Sequence, residues 1–140
     1  MTITKFGDNL LGLDVGTKRV GVAAASAIAK IASPYSTLAQ DNTIWEQIEA
    51  ICKKESVGTV VVGLPRSMDG SDTEQTGYSR SFAGQLAEHL PVDIILQDEA
   101  LTSVEAEREL TNRGKLFSKG DIDSLAASLI LEDYIREHLL

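Results

Sequence analysis

Apolar and polar positions alternate at the start of the chain and give way to helical spacing further on. Leu11, Leu13 and Val15 alternate with Leu10, Gly12 and Asp14, as the two faces of a strand do. Residues 16–19 supply a tight turn, and residues 20–25 read as the returning strand of a hairpin. Residues 34–40 predict a third strand, set near an edge because Pro34 has no amide to give a ladder. Ile44, Trp45, Ile48, Ile51 and Cys52 then recur at helical spacing, which predicts a helix over 41–55 with Thr43 and Glu46 as a capping box. The β-branched run 57–64, ended by Pro65, has the pattern of a central parallel strand buried on both faces.

The second half continues in the same style. Ser71, Asp72, Thr73 and Glu74 form another capping box, ahead of a helix carrying Tyr78, Phe82, Leu86 and Leu90 that Pro91 stops. Residues 92–97 are the fifth strand and run into Asp98 and Glu99. A third box, Thr102 to Glu105, opens a helix that stops at Gly114, and residues 115–120 make a basic loop. The last helix starts near Asp121 and runs towards Tyr134; it is apolar nearly all round at first, so it should lie on the sheet. The order of elements predicts an α/β sandwich. Its sheet is mixed and five-stranded, an antiparallel hairpin edge joined to parallel strands.

Composition narrows the reading without choosing a function. A chain of 140 residues suits one domain, 1–140, with roughly two-thirds of its unfolded surface buried and no need of a disulfide. No apolar run reaches the ~20 residues of a membrane span, and the N-terminus lacks the apolar core of a signal peptide. With Cys52 alone there is no internal disulfide, which fits a reducing cytoplasm. The net charge of −8 argues against a general nucleic-acid coat, yet 13 Lys and Arg remain for a local site. His89 and His138 sit near helix ends without a partner motif and read as surface residues.

The candidate chemistry lies in the acids. Asp14 and the pair Asp98-Glu99 fall at the carboxyl ends of strands, where open α/β sheets bind ligands. Adjacent strand residues face opposite ways, so only one of Asp98 and Glu99 looks into a given site. Asp123 is the third acid, on the first turn of the last helix between Ile122 and Leu125. Each has an ordinary explanation as well, an Asx turn or a helix-dipole partner. Converging carboxylates need a divalent cation, and oxygen ligands without His or Cys favour Mg²⁺ or Mn²⁺; two such ions suit phosphodiester hydrolysis. Lys18, Arg19, Arg66, Arg80 and Lys119 fall in or near loops on the same edge, where cations contact phosphates. For Arg80, on a helix, ordinary surface charge is the better reading.

Residues 13–23, Leu-Asp-Val-Gly-Thr-Lys-Arg-Val-Gly-Val-Ala, resemble the opening of the YqgF family, the Holliday-junction-resolvase-like proteins described as pre-16S ribosomal RNA nucleases. Val61 to Pro65, Met68-Asp69-Gly70, Asp98-Glu99 with Leu101-Thr102-Ser103, and Ile122-Asp123 with Ala126-Ala127 follow in the family's order. The resemblance implies a ribonuclease-H-like fold and a metal-dependent phosphodiesterase site of Asp14, Glu99 and Asp123, with Glu99 preferred to Asp98. Two departures touch substrate contacts: Ala100 stands where the family usually has Arg, and Arg66-Ser67 replaces an apolar-Asn pair.

The expectation is therefore a Mg²⁺- or Mn²⁺-dependent endonuclease on structured RNA, with ribosomal precursor processing implied by the resemblance. It is expected as a cytoplasmic monomer or weak homodimer without membrane contact. A four-way DNA junction is the alternative substrate, and a non-catalytic RNA-binding module of the same fold is the alternative class. An ATP-dependent phosphotransferase shares the hairpin pattern, but such enzymes close two domains over the nucleotide and this length supplies one.

Overall fold

The computed structural model describes residues 5–99, 111 and 119–140. Five strands and three helices are described: β1 (Asn9–Val15), β2 (Arg19–Ala25), β3 (Ser33–Ala39), α1 (Ile44–Lys54), β4 (Val57–Pro65), α2 (Glu74–His89), β5 (Asp93–Glu99) and α3 (Lys119–His138). The strands form one sheet in the order β3-β2-β1-β4-β5. β1 pairs antiparallel with β2 and parallel with β4. β3 joins β2 antiparallel at one edge, and β5 joins β4 parallel at the other. The mixed sheet expected from the sequence is the one observed, with β1 at its centre.

Each face has its own apolar layer. Leu11, Leu13, Val15, Val20, Val22, Val60 and Val62 pack with Ile44, Ile48 and Cys52 of α1 and with Phe82, Ala83 and Leu86 of α2. Leu10, Ala23, Ala25 and Val61 turn the other way, onto Ala127, Ile130, Leu131 and Ile135 of α3. The alternation read from the sequence thus sorts β1 correctly, and β4 is buried on both sides. Every fully buried Val or Leu contributes about 1.5–3 kcal/mol of transfer free energy, so the two layers fix the register firmly.

α3 lies close enough to the sheet to require glycine beneath it. A Cβ on Gly21 would run into the carbonyl oxygen of Asp123, and one on Gly63 would run into Cδ1 of Ile130. The start of α3 is also tied to the edge strand, where the Thr37 hydroxyl donates to the Gly120 carbonyl at 2.7 Å.

The structure corrects several local expectations. The Thr43 hydroxyl makes no cap bond to α1; it donates to Asp41 at 2.6 Å and accepts from Gln47 at 2.8 Å. The cap of α2 is Thr73 rather than Ser71, and its reciprocal partner is Thr76, not Glu74. Ser71 is taken up instead by Asp69, whose carboxylate accepts from both its amide and its hydroxyl. Tyr78 is exposed, because the buried stripe of α2 runs through Thr76, Ser79, Phe82, Ala83 and Leu86. α3 begins at Lys119, two residues before the expected start near Asp121 and inside the stretch read as loop. The predicted helix opened by Thr102, most of the basic loop, and Ala100 lie outside the described residues.

Candidate active site

The β1–β2 hairpin brings the first acid to the carboxyl edge of the sheet. Its turn is closed by the Gly16 amide donating to the Arg19 carbonyl at 2.8 Å. Asp14 follows Leu10 and Gly12 onto the α3 face, and its register partner on β2 is Gly21. The start of α3 rests on that same glycine, so Asp123 is carried in from above. Two acids from opposite ends of the sequence become neighbours because one strand residue has no side chain.

The electrostatics record this meeting. Asp14 is partly buried, and its carboxyl is pushed up to about 6, first by loss of water and then by the negative charge of Asp123. Asp123 in turn accepts from Nε of Arg19 at 2.6 Å. The Arg19 side chain keeps 37% of its exposure and that of Asp123 only 20%, so the pair opens towards solvent on the arginine side. One positive charge is already being supplied to an acid pair that repels itself.

Glu99 closes β5, opposite Pro65 and two strands away from β1. Gln97, two residues earlier, is buried and donates to Glu137 of α3 at 2.8 Å. Strand alternation therefore gives Glu99 the face shared by Asp14 and Asp123. Asp98 belongs to the opposite face, where Arg66 donates to its Oδ1 from Nε at 3.2 Å and Nη2 at 3.1 Å. Two strand spacings amount to about 10 Å, so Glu99 shares the edge with the acid pair without touching it at the backbone. Among the described residues no three Asp, Glu, His or Cys side chains are gathered as a metal cluster. A shallow cleft of about 270 Å³ beside Glu99 is lined by Arg66, Ser67, Met68, Gly70 and Asp98.

The cations land in different situations. Lys18 is exposed on the β1–β2 turn. Arg19 is held by Asp123, and Arg66 by Asp72 and Asp98. Arg80 pairs with Asp72 on the α2 side, in keeping with its reading as surface charge. Lys119 is the first residue of α3. Sequence reasoning missed the residues that hold the edge together. Gln75 donates to the Val15 carbonyl at 2.7 Å, and the Thr76 hydroxyl donates to the Pro65 carbonyl, so the first turn of α2 ties the ends of β1 and β4. Gly21 is signalled only by its place between Val20 and Val22 on the strand that returns past Asp14. Thr37 carried no signal.

The donor set suits a hard divalent ion. It consists of carboxylate oxygens only, and the Asp14 carboxyl is raised first by burial and second by the charge of Asp123, which a bound cation would offset.

An α/β sheet of this order, with one acid at the end of its central strand β1 and another at the end of the edge strand β5, has the ribonuclease-H-like architecture. A Thermus thermophilus RuvC solved with a Holliday junction substrate superposes with a TM-score of 0.54, covering 93% of this chain and 96% of that one at 15% identity. A fowlpox virus resolvase, solved with Holliday junction DNA, gives 0.53 over 95% and 100% of the two chains at 10% identity. These likenesses show the fold. The chain belongs to the RuvX family, described as Holliday junction resolvase, whose model matches residues 8–137.

Bacterial relatives cover nearly the whole chain. One from Sulfurihydrogenibium sp. is 37% identical, spanning 90% of this chain and 88% of its own length. One from Cronobacter sakazakii is 38% identical over 92% and 96%, and one from Salmonella paratyphi B is 39% identical over 93% and 97%. All three carry the name "Putative pre-16S rRNA nuclease".

Proposed function

We propose that residues 1–140 form a single nuclease domain, a divalent-metal-dependent endonuclease that hydrolyses phosphodiester bonds in structured RNA. Its substrate would be the 5′ end of the 16S ribosomal RNA precursor, in the bacterial cytoplasm. The observation that carries the reading is the Asp14–Asp123 pair at the carboxyl edge, with the Asp14 carboxyl raised to about 6 by burial and by its neighbour's charge. Family membership and the relatives' name supply the nuclease class and the RNA.

Asp14, Asp123 and Glu99 would hold the ion. Mg²⁺ or Mn²⁺, two ions, would supply charge neutralisation and a lowered pKa for an attacking water. Asp14 must be ionised to become a ligand, and with its carboxyl at about 6 it is mostly so at neutral pH. Glu99, at the end of β5 on the same face, would complete an oxygen-only shell. Lys18, exposed beside Asp14, meets a phosphate of the bound strand, and Arg66 and Lys119 are the further cations proposed for that strand. Arg66 must first leave its two carboxylates.

Asp14→Asn tests the mechanism. It should abolish cleavage of a ribosomal precursor fragment while the protein stays folded; unchanged turnover by a preparation free of other nucleases contradicts it. A four-way DNA junction is the second reading, favoured by the family's description and by the junction complexes of the fold's relatives. Offering both nucleic acids to one preparation decides between them.

A further inference from the structure

The Arg19–Asp123 pair is more than a tie between β2 and α3. We propose that Arg19 is a built-in counter-ion that keeps the acid pair closed without metal and is handed to a substrate phosphate when the metal enters. The inference rests on the reading of Asp14 and Asp123 as metal ligands.

The geometry is specific. Nε of Arg19 sits 2.6 Å from Oδ2 of Asp123, on the carboxylate whose charge adds to burial in raising the Asp14 carboxyl. The guanidinium on Oδ2 and a divalent ion on the same carboxylate would repel each other across a few ångströms, so the ion competes electrostatically with Arg19 for Asp123. The arginine is the more exposed member of the pair, at 37% against 20%, and has open solvent into which to turn. It stems from the first residue of β2, directly after the turn that carries Lys18. Released, it therefore joins Lys18 on the edge where a phosphodiester must lie to reach Asp14.

Two linked consequences follow. Removing Arg19 relieves the competition, and a half-open ion pair of this kind is worth a factor of about 2–5 in metal affinity. Metal and nucleic acid also become coupled through Arg19, since each frees or uses the same side chain, and such coupling is reciprocal. One phosphate contact should then exist only when metal is present.

The test is RNA binding by fluorescence anisotropy, using an RNA hairpin, in EDTA and in Ca²⁺ as a non-cleaving ion, across a salt series. With Ca²⁺ the wild type should show a slope of log K against log salt steeper by about 1 than Arg19→Gln; in EDTA the two slopes should coincide. In parallel, Mn²⁺ calorimetry should give Arg19→Gln about 2–5 times tighter binding than wild type. Lys18→Gln removes an equal charge that does not sit on the acid and should tighten Mn²⁺ binding less.

Equal slopes in both buffers mean a purely structural tie and overturn the proposal. A slope difference already present in EDTA also overturns it, since Arg19 would then contact phosphate without release. Equal gains in metal affinity for both variants reduce it to a general field effect and overturn it as well. If Arg19→Gln does not fold, the wild type suffices: the NMR signal of Arg19 Nε–H should be protected in EDTA and lose that protection in saturating Mg²⁺, and a signal that stays protected refutes the release. Absence of Mn²⁺ binding in the wild type, by contrast, strikes at the metal site itself and would remove both readings together.

Discussion

Asp14 shows how a single residue trades stability for readiness. Unfolded, its carboxyl ionises near 3.8; folded, at about 6. Between those values the folded protein holds a proton that the unfolded chain has lost, so stability falls as pH rises from about 4 to 6 and the full penalty stands above that. A displacement of this size corresponds to roughly 2–3 kcal/mol. Asp14→Asn should accordingly be more stable than wild type at pH 7.5, by up to that amount, and should lose the advantage below about pH 4. Denaturant melts of the two proteins at both pH values measure it. The residue that would destroy activity when changed is thus expected to cost the fold when kept.

At the level of elements, the site depends on how α3 is seated. Gly21→Ala would drive a methyl group into the carbonyl carbon and oxygen of Asp123. The helix must move, at a cost of about 3 kcal/mol or more. The expected readout is a melting point lower by about 10 °C together with weakened Mn²⁺ binding. Thr37→Val removes the bond to the Gly120 carbonyl and should cost about 1 kcal/mol, with a smaller loss of metal affinity.

These two residues also mark what can be read in advance. The alternation of Leu11, Leu13 and Val15 against Leu10 and Asp14 reveals the sheet's two faces, because a strand's period is local. The residues alone leave Asp98 against Glu99 open, and only the family resemblance chooses between them. The alternation that places Glu99 with Gln97 on the α3 face agrees with that choice. The expected cap of α2 is misplaced where several hydroxyls and acids lie close together: Asp69, Ser71, Thr73 and Thr76 fall within eight positions and serve different amides, and spacing cannot rank them. Arg19 reads as a phosphate ligand in the sequence because a cation beside a catalytic edge looks alike whether it meets substrate or Asp123. Contacts between distant elements, such as Thr37 with Gly120, leave no local pattern at all.

Over the whole molecule, charge decides how nucleic acid is met. With a net charge of −8 the protein offers no broad attractive field, so binding must come from a few cations at one edge and from the proposed metal ion. Lys18, Arg19, Arg66 and Lys119 are the four cations proposed to meet phosphates. The salt slope for RNA should therefore stay shallower than about −4, well short of the slope of a basic coat with about 6–10 contacts. The same reasoning makes the ion a stabiliser of the whole fold. At about a hundredfold excess over Kd, Mn²⁺ should add about 2–3 kcal/mol to unfolding, and Asp14→Asn should abolish that gain.

All of this turns on Asp14 and Asp123, brought together over Gly21, forming the core of a divalent-metal site that Glu99 completes. Anomalous diffraction from crystals grown with Mn²⁺ above about pH 7, where Asp14 is ionised, is the decisive observation. The expected peak lies between the carboxylates of Asp14 and Asp123, with Glu99 turned onto it. A map that shows Mn²⁺ elsewhere on the protein and nothing between those two acids would refute the assignment.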